Sequence, residues 1–168
     1  MKVFVFMLKQ DDPSKCTAAK LVKFRLAQSV QYIYKKSLIL NPFSPILLSK
    51  EDAKLSDSVC AIDCSWNRSE RELKNRFLPK HAMGRRLPAM LAANPINYSK
   101  LGRLSTAEAL AGSLYILGDK RLAKDFMEKF KWGPTFLELN SSLLEDYSNA
   151  ENREEILVIE KQYFPQLC

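Results

Sequence analysis

The chain has 168 residues, 46% hydrophobic and 27% charged, a balance that excludes a disordered, collagen-like or coiled-coil protein. No apolar run approaches the roughly 18 residues of a membrane span, and the short apolar stretch after Lys2 has no small-residue cleavage site, so it reads as a strand and not a signal peptide. The net charge of +7 is unevenly spread: residues 15–36 hold six basic side chains and no acid, 68–86 hold seven basic and two acidic, and the last part of the chain is acidic. This pattern fits either a polyanion partner or the solvated lysines of a small basic protein.

Lys2 to Leu8 predicts a strand, broken by Asp11-Asp12-Pro13. Cys16 to Ile33 predicts a helix with an apolar stripe of Val22, Leu26, Val30 and Ile33. Ser37 to Leu40 reads as a buried strand, followed by the stiff loop Asn41-Pro42-Phe43-Ser44-Pro45. Ser49 to Leu55 predicts a short helix and Ser58 to Cys64 a strand. Asn67 to Arg86 is polar and basic, with helix propensity near Glu70 to Phe77. In Leu87 to Ala93, Pro88 and the following Asn94-Pro95 favour a strand or loop. Asn94 to Leu104 reads as a long loop. Ser105-Thr106-Ala107-Glu108 is a capping box opening a helix over Ala107 to Leu117, stopped by Gly118. Three further helices are expected: Lys120 to Phe130, Phe136 to Tyr147 and Glu151 to Tyr163. Strands alternating with helices predict an α/β fold with a mostly parallel sheet and a helical C-terminal part.

Cys60 and Cys64 on one strand would stand about 13 Å apart, too far to share a metal. His81 is the single histidine. No metal is expected, and reduced, structural cysteines fit a cytosolic protein.

Ligands of open α/β sheets bind beyond the carboxyl ends of strands. Three such ends carry unusual residues: 41–45, Asp63-Cys64-Ser65-Trp66, and Asn94-Pro95-Ile96-Asn97-Tyr98. Asp63 ends an otherwise apolar strand, either as a carboxylate bonded to loop amides or as a functional group. Trp66 reads either as core or as a stacking platform. Glu108 reads as the partner of its capping box. No GxGxxG, Walker loop or nucleophile elbow is present.

The strings Asp12-Pro13-Ser14-Lys15-Cys16-Thr17-Ala18-Ala19-Lys20-Leu21, Leu40-Asn41-Pro42, Asp63-Cys64-Ser65-Trp66, Arg86 to Tyr98 (RLPAMLAANPINY) and Leu104-Ser105-Thr106-Ala107-Glu108-Ala109 follow one another in a recognisable order. Over residues 1 to about 147 the chain resembles the small-subunit ribosomal RNA aminocarboxypropyltransferases, in an archaeal-sized form. It departs from the family pattern at Ser99 and Gly102. The resemblance implies a SPOUT-like trefoil-knotted fold, with an N-terminal α/β part over 1–57 and a knotted cofactor-binding part with helical tail over 58–168, either as two parts or as one compact unit. It implies transfer of the 3-amino-3-carboxypropyl (acp) group from S-adenosylmethionine to N3 of a methylated pseudouridine in small-subunit rRNA, releasing 5′-methylthioadenosine. The implied donor-binding residues are Thr17, Phe43, Pro45, Ile62, Trp66, Leu87, Gly102, Leu104, Thr106 and Ala109, with Asp63 near the reacting carbon or the acceptor. Lys15, Lys20, Lys23, Arg25, Arg68, Arg71, Arg85 and Arg86 are the expected RNA-binding residues. The expected partner is small-subunit rRNA or the pre-ribosomal subunit, with no membrane, and the expected state is a cytoplasmic monomer. A SPOUT-type RNA methyltransferase and a non-catalytic rRNA-binding assembly factor are the alternatives.

Overall fold

In Lys2–Met7 (β1), Val3 and Val5 are buried on one face while Phe4 and Phe6 point to the other, the period-two pattern of a strand covered on both sides. The structure is a computed structural model that describes residues 1–8, 16–63 and 83–167. Gln28–Val30 (β2), Leu38–Leu40 (β3), Ser58–Asp63 (β4) and Met83–Arg85 (β5) join β1 in a five-stranded sheet of order β2-β1-β4-β3-β5. Every pairing is parallel, so all five carboxyl ends lie on one edge. The central strand β4 is buried along almost its whole length. It lies between β1 and β3, in registers such as Val5–Ala61 and Leu40–Ala61. The residues on either side of position 57 therefore share one sheet.

Six α-helices are described: Thr17–Lys23 (α1), Thr106–Ile116 (α2), Lys120–Met127 (α3), Gly133–Leu139 (α4), Ser141–Asn149 (α5) and Arg153–Tyr163 (α6). Helix α2 is buried nearly all round, between the sheet and the helices that follow it. Gly112 permits its closest approach, since a Cβ there would meet Met90 Cε at 2.8 Å.

The structure differs from the sequence reading at four places. The helix expected to run to Ile33 ends at Lys23. Arg25 takes φ 59°, its amide donates to Val22 O, and the Leu26 amide reaches back to Leu21 O, which closes α1 as a Schellman motif. The second half of that pattern becomes the edge strand β2. Within the basic stretch, Met83–Arg85 forms β5, a strand the polar composition concealed. The stretch from Ser49 is a single 3-10 turn, Lys50–Lys54. The helix expected over 136–147 is broken at Asn140, whose side chain is committed elsewhere. The helix expected near 70–77 lies outside the described residues.

Candidate functional site

A cavity of about 330 Å³ opens at the carboxyl ends of β3, β4 and β5. That is within the usual size range of small-molecule sites. Leu40, Ala61 and Ile62 supply its sheet side, and the segment from Arg86 to Ala89 forms one wall. Leu101, Gly102 and Leu104 form another, and α2 contributes Thr106 and Ala109. The last helix and the C-terminal turn close it with Glu160 and Leu167.

The walls are irregular backbone, and buried side chains hold them. Glu108 does far more than complete its capping box. Oε1 accepts from the amides of Ala93 (2.7 Å) and Asn94 (3.0 Å), and Oε2 accepts from Asn94 Nδ2 (2.7 Å) and Ser105 N (2.7 Å). Asn140 pairs with the Leu91 backbone in both directions, at 2.9 Å each. Tyr147 donates its hydroxyl to Ala89 O at 3.1 Å, and burial pushes that phenol far above its ordinary pKa. Glu160 accepts from both terminal nitrogens of Arg86 (2.8 and 3.3 Å) and from Ala89 N (2.7 Å). These supports lie roughly 50 to 70 residues away in the chain, and no local pattern announces them; only Glu108 was legible, as a cap.

Next to the cavity lies a polar cluster. Asp63, at the end of β4, accepts from Thr106 Oγ1 at 2.7 Å on one oxygen and from Cys16 Sγ at 3.1 Å on the other. Cys16 is also the N-cap of α1, where its sulfur accepts from Ala19 N. Thr17 Oγ1 accepts from Ala107 N at 3.3 Å. The first turns of α1 and α2 thus converge on one carboxylate, a placement their dipoles favour. Burial, with the Asp63 carboxylate beside it, pushes the Cys16 thiol up to about 11. Cys16 is therefore a neutral donor at ordinary pH. Among the described residues, the Asp63 side chain bonds a hydroxyl and a thiol.

Of the expected donor-binding residues, Ile62, Leu87, Gly102, Leu104, Thr106 and Ala109 line the cavity together, whereas Thr17 lies outside the lining, held to the Ala107 amide next to Thr106. Phe43 and Pro45 lie outside the lining, on the exposed part of their loop, whereas Asn41 and Pro42 form part of it. Trp66 lies outside the described residues, as do Lys15, Arg68 and Arg71. Lys20, Lys23 and Arg25 are exposed. Arg85 is a correction: it is 7% exposed and donates Nε to the fully buried Asp52 at 2.9 Å, so it stabilises the interior and presents no charge to a partner. Arg86 is partly exposed, but its guanidinium is engaged by Glu160 at the cavity wall.

Among the described residues, no group of three His, Cys, Asp or Glu side chains gathers as a metal site. A family model described as "Ribosome biogenesis protein, C-terminal" matches residues 38–164. The 16S rRNA aminocarboxypropyltransferase of Methanothermobacter thermautotrophicus is 44% identical over 97% of this chain and 98% of its own. Its namesake from Thermoplasma volcanium is 44% identical over 96% and 98%. The solved SAM-dependent rRNA:acp-transferase of Vulcanisaeta distributa superposes with a TM-score of 0.85 at 36% identity, covering 99% of this chain and 97% of that one. With such similarity along nearly its whole length and on the same fold, the chain belongs to the 16S rRNA aminocarboxypropyltransferase family.

Proposed function

We propose that the cavity binds S-adenosylmethionine and that the chain transfers its acp group to N3 of a methylated pseudouridine in small-subunit rRNA, releasing 5′-methylthioadenosine and the N3 proton. The observation that carries this reading is the cavity's polarity: apolar walls from Leu87, Leu104 and Ala109, with a polar end at Thr106 backed by Asp63. Apolar walls suit an adenosine and the polar end suits an amino-acid tail, so the residues fit the donor. The donor supplies a sulfonium whose three carbons are all activated, and the one that reacts is the one held toward the nucleophile.

The chain's task is therefore positioning. Thr106 commits its proton to Asp63, so its hydroxyl turns lone pairs toward the cavity, the arrangement that receives an ammonium group. Thr17 lies beside it at the start of α1. Leu87, Gly102 and Ile62 line the cavity; in this reading the backbones of the first two meet the base and that of Ile62 meets the ribose. Asp63 acts through Thr106 and as a negative charge near the sulfonium, which makes it a positioning residue. Trp66 keeps its proposed role as a wall of the adenosine site. The exposed Lys20, Lys23 and Arg25 support contact with RNA phosphates. No helix among the described residues is long and apolar enough to cross a membrane. We place the protein in the cytoplasm as a monomer, and we read the path of β4 between β1 and β3 as part of a SPOUT-type trefoil knot.

Mass spectrometry of products formed from labelled S-adenosylmethionine and small-subunit rRNA tests this. The expected products are 5′-methylthioadenosine and an acp-modified nucleoside alkylated at N3. S-adenosylhomocysteine with methylated RNA makes the protein a methyltransferase. Absence of donor binding by calorimetry makes it an assembly factor.

A further inference from the structure

The cavity wall at Leu101 and Gly102 is the root of a hairpin that projects away from it. Leu91 and Leu101 form an antiparallel bridge, Ala92 N donates to Lys100 O at 3.1 Å, Ser99 N donates to Ala92 O at 2.7 Å, and Gly102 N donates to Met90 O at 2.9 Å. The tip is equally well held. Asn97 N bonds both the backbone and the side-chain oxygen of Asn94 at 3.1 Å, and Lys100 N bonds Asn97 O at 2.9 Å. Glu108 grips the Ala93–Asn94 arm from below. Yet this rigid tip exposes two large apolar side chains: Ile96 is 78% exposed and Tyr98 is 59% exposed. Single exposed apolar residues need no explanation, but two on one braced tip, on a hairpin rooted in the cavity wall, form a surface without a partner among the described residues. The charge around them selects the partner. Residues 83–107 contain no acidic side chain, and Lys100 and Arg103 are exposed on the same hairpin.

We propose that the 94–100 tip is an RNA-stacking wedge, in which Tyr98, flanked by Ile96, stacks on the unpaired base next to the acceptor nucleoside in a single-stranded loop of rRNA. This rests on the acceptor reading above: the ring N3 of a pseudouridine lies on its pairing edge, so the acceptor must be unpaired and lifted from its stack to meet the donor. The neighbouring base then loses a stacking partner, and an aromatic face on the hairpin that leads out from the cavity wall replaces it. An apolar wedge beside the ring keeps the gap open.

The test compares wild type with Tyr98→Ala, Tyr98→Phe and Ile96→Ala, using a small-subunit rRNA hairpin fragment and the same sequence closed into a duplex. Tyr98→Ala is expected to weaken loop binding roughly 5- to 150-fold, the range for losing one stacked base, and to raise KM for RNA similarly. Tyr98→Phe keeps the ring and retains wild-type binding; Ile96→Ala gives a smaller loss than Tyr98→Ala. Affinity for S-adenosylmethionine, the melting temperature and the salt slope of RNA binding stay at wild-type values, the last because no phosphate contact is removed. Wild-type affinity and KM in Tyr98→Ala overturn the proposal. So does an equal loss on loop and duplex, a parallel loss of donor affinity, or intact RNA binding with loss of a protein partner from the pre-ribosomal particle. Failure of the functional reading is seen separately, as wild-type protein that yields no 5′-methylthioadenosine from the fragment.

Discussion

Glu160, near the end of the last helix, grips Arg86 with both carboxylate oxygens across 74 residues of chain, and one of those oxygens also takes the Ala89 amide. Glu160 is buried while Arg86 is about one-third exposed. The C-terminal helix is thereby built into the cavity wall. Glu160→Ala leaves a half-buried guanidinium and an amide without their acceptor. The expected loss is about 2–3 kcal/mol of stability, in the range of hydrogen bonds to charged groups, together with weaker donor binding. Chemical denaturation and calorimetry measure both; a variant that loses stability but keeps donor affinity separates the helix from the site.

Glu108 offers a sharper case, because one fully buried carboxylate satisfies three backbone amides and one side-chain amide. Glu108→Gln keeps the shape but turns an NH2 toward N–H donors. The expected cost is about 2–4 kcal/mol, from unsatisfied buried donors. Hydrogen exchange at Ala93 and Asn94 should accelerate along with global unfolding. Exchange unchanged at those two amides would contradict the bracing role.

Asp63→Asn removes the charge between the two helix starts while keeping an oxygen for Thr106. Turnover is expected to fall about 10²-fold, the scale of a small misplacement at a reacting centre. Affinity for S-adenosylmethionine should fall more than affinity for the neutral-sulfur S-adenosylhomocysteine. Wild-type turnover with only a lower melting temperature would make Asp63 a fold residue.

Cys16 reports on the same cluster. Burial raises its pKa from 9.0 to about 11, so the folded state holds its proton where the unfolded state has lost it. The resulting stabilisation is complete below pH 9 and disappears as pH rises from 9 to about 11. Alkylation at Cys16, followed by peptide mass spectrometry, should show a midpoint near 11 in the native protein. In Asp63→Asn the midpoint should fall, because the neighbouring carboxylate contributes to the shift.

The arginines divide by burial. Charge reversal at Lys23 and Arg25, both exposed, should weaken RNA binding, flatten its salt dependence and leave the melting temperature unchanged. Arg85→Glu sets a second acid against Asp52, which also holds Arg153 at 2.6 Å. It should destabilise the fold by about 3–5 kcal/mol or more, as breaking a buried pair does. An Arg85→Glu protein that melts normally and loses only RNA affinity would reverse this assignment.

Two helix ends show what was legible in the sequence. Helix α2 opens at Ser105 with Glu108 and closes at Gly118, φ 96°, with Asp119 N returning to Leu114 O. Helix α1 closes by the same motif at Arg25, where no glycine marks the left-handed residue, and the apolar stripe runs on into a strand. Motif and period alone determined the α/β class, the strands β1, β3 and β4, the α2 cap, and, through the resemblance, six residues that line one cavity. They could not determine β5, because three residues among basic neighbours become a strand only when β3 is there to receive their hydrogen bonds. Nor could they determine the wall. Arg86 with Glu160 and Leu91 with Asn140 meet across 74 and 49 residues. Buried polar groups must find partners somewhere, but which partner is nearest is set only once the sheet and the C-terminal helices have packed.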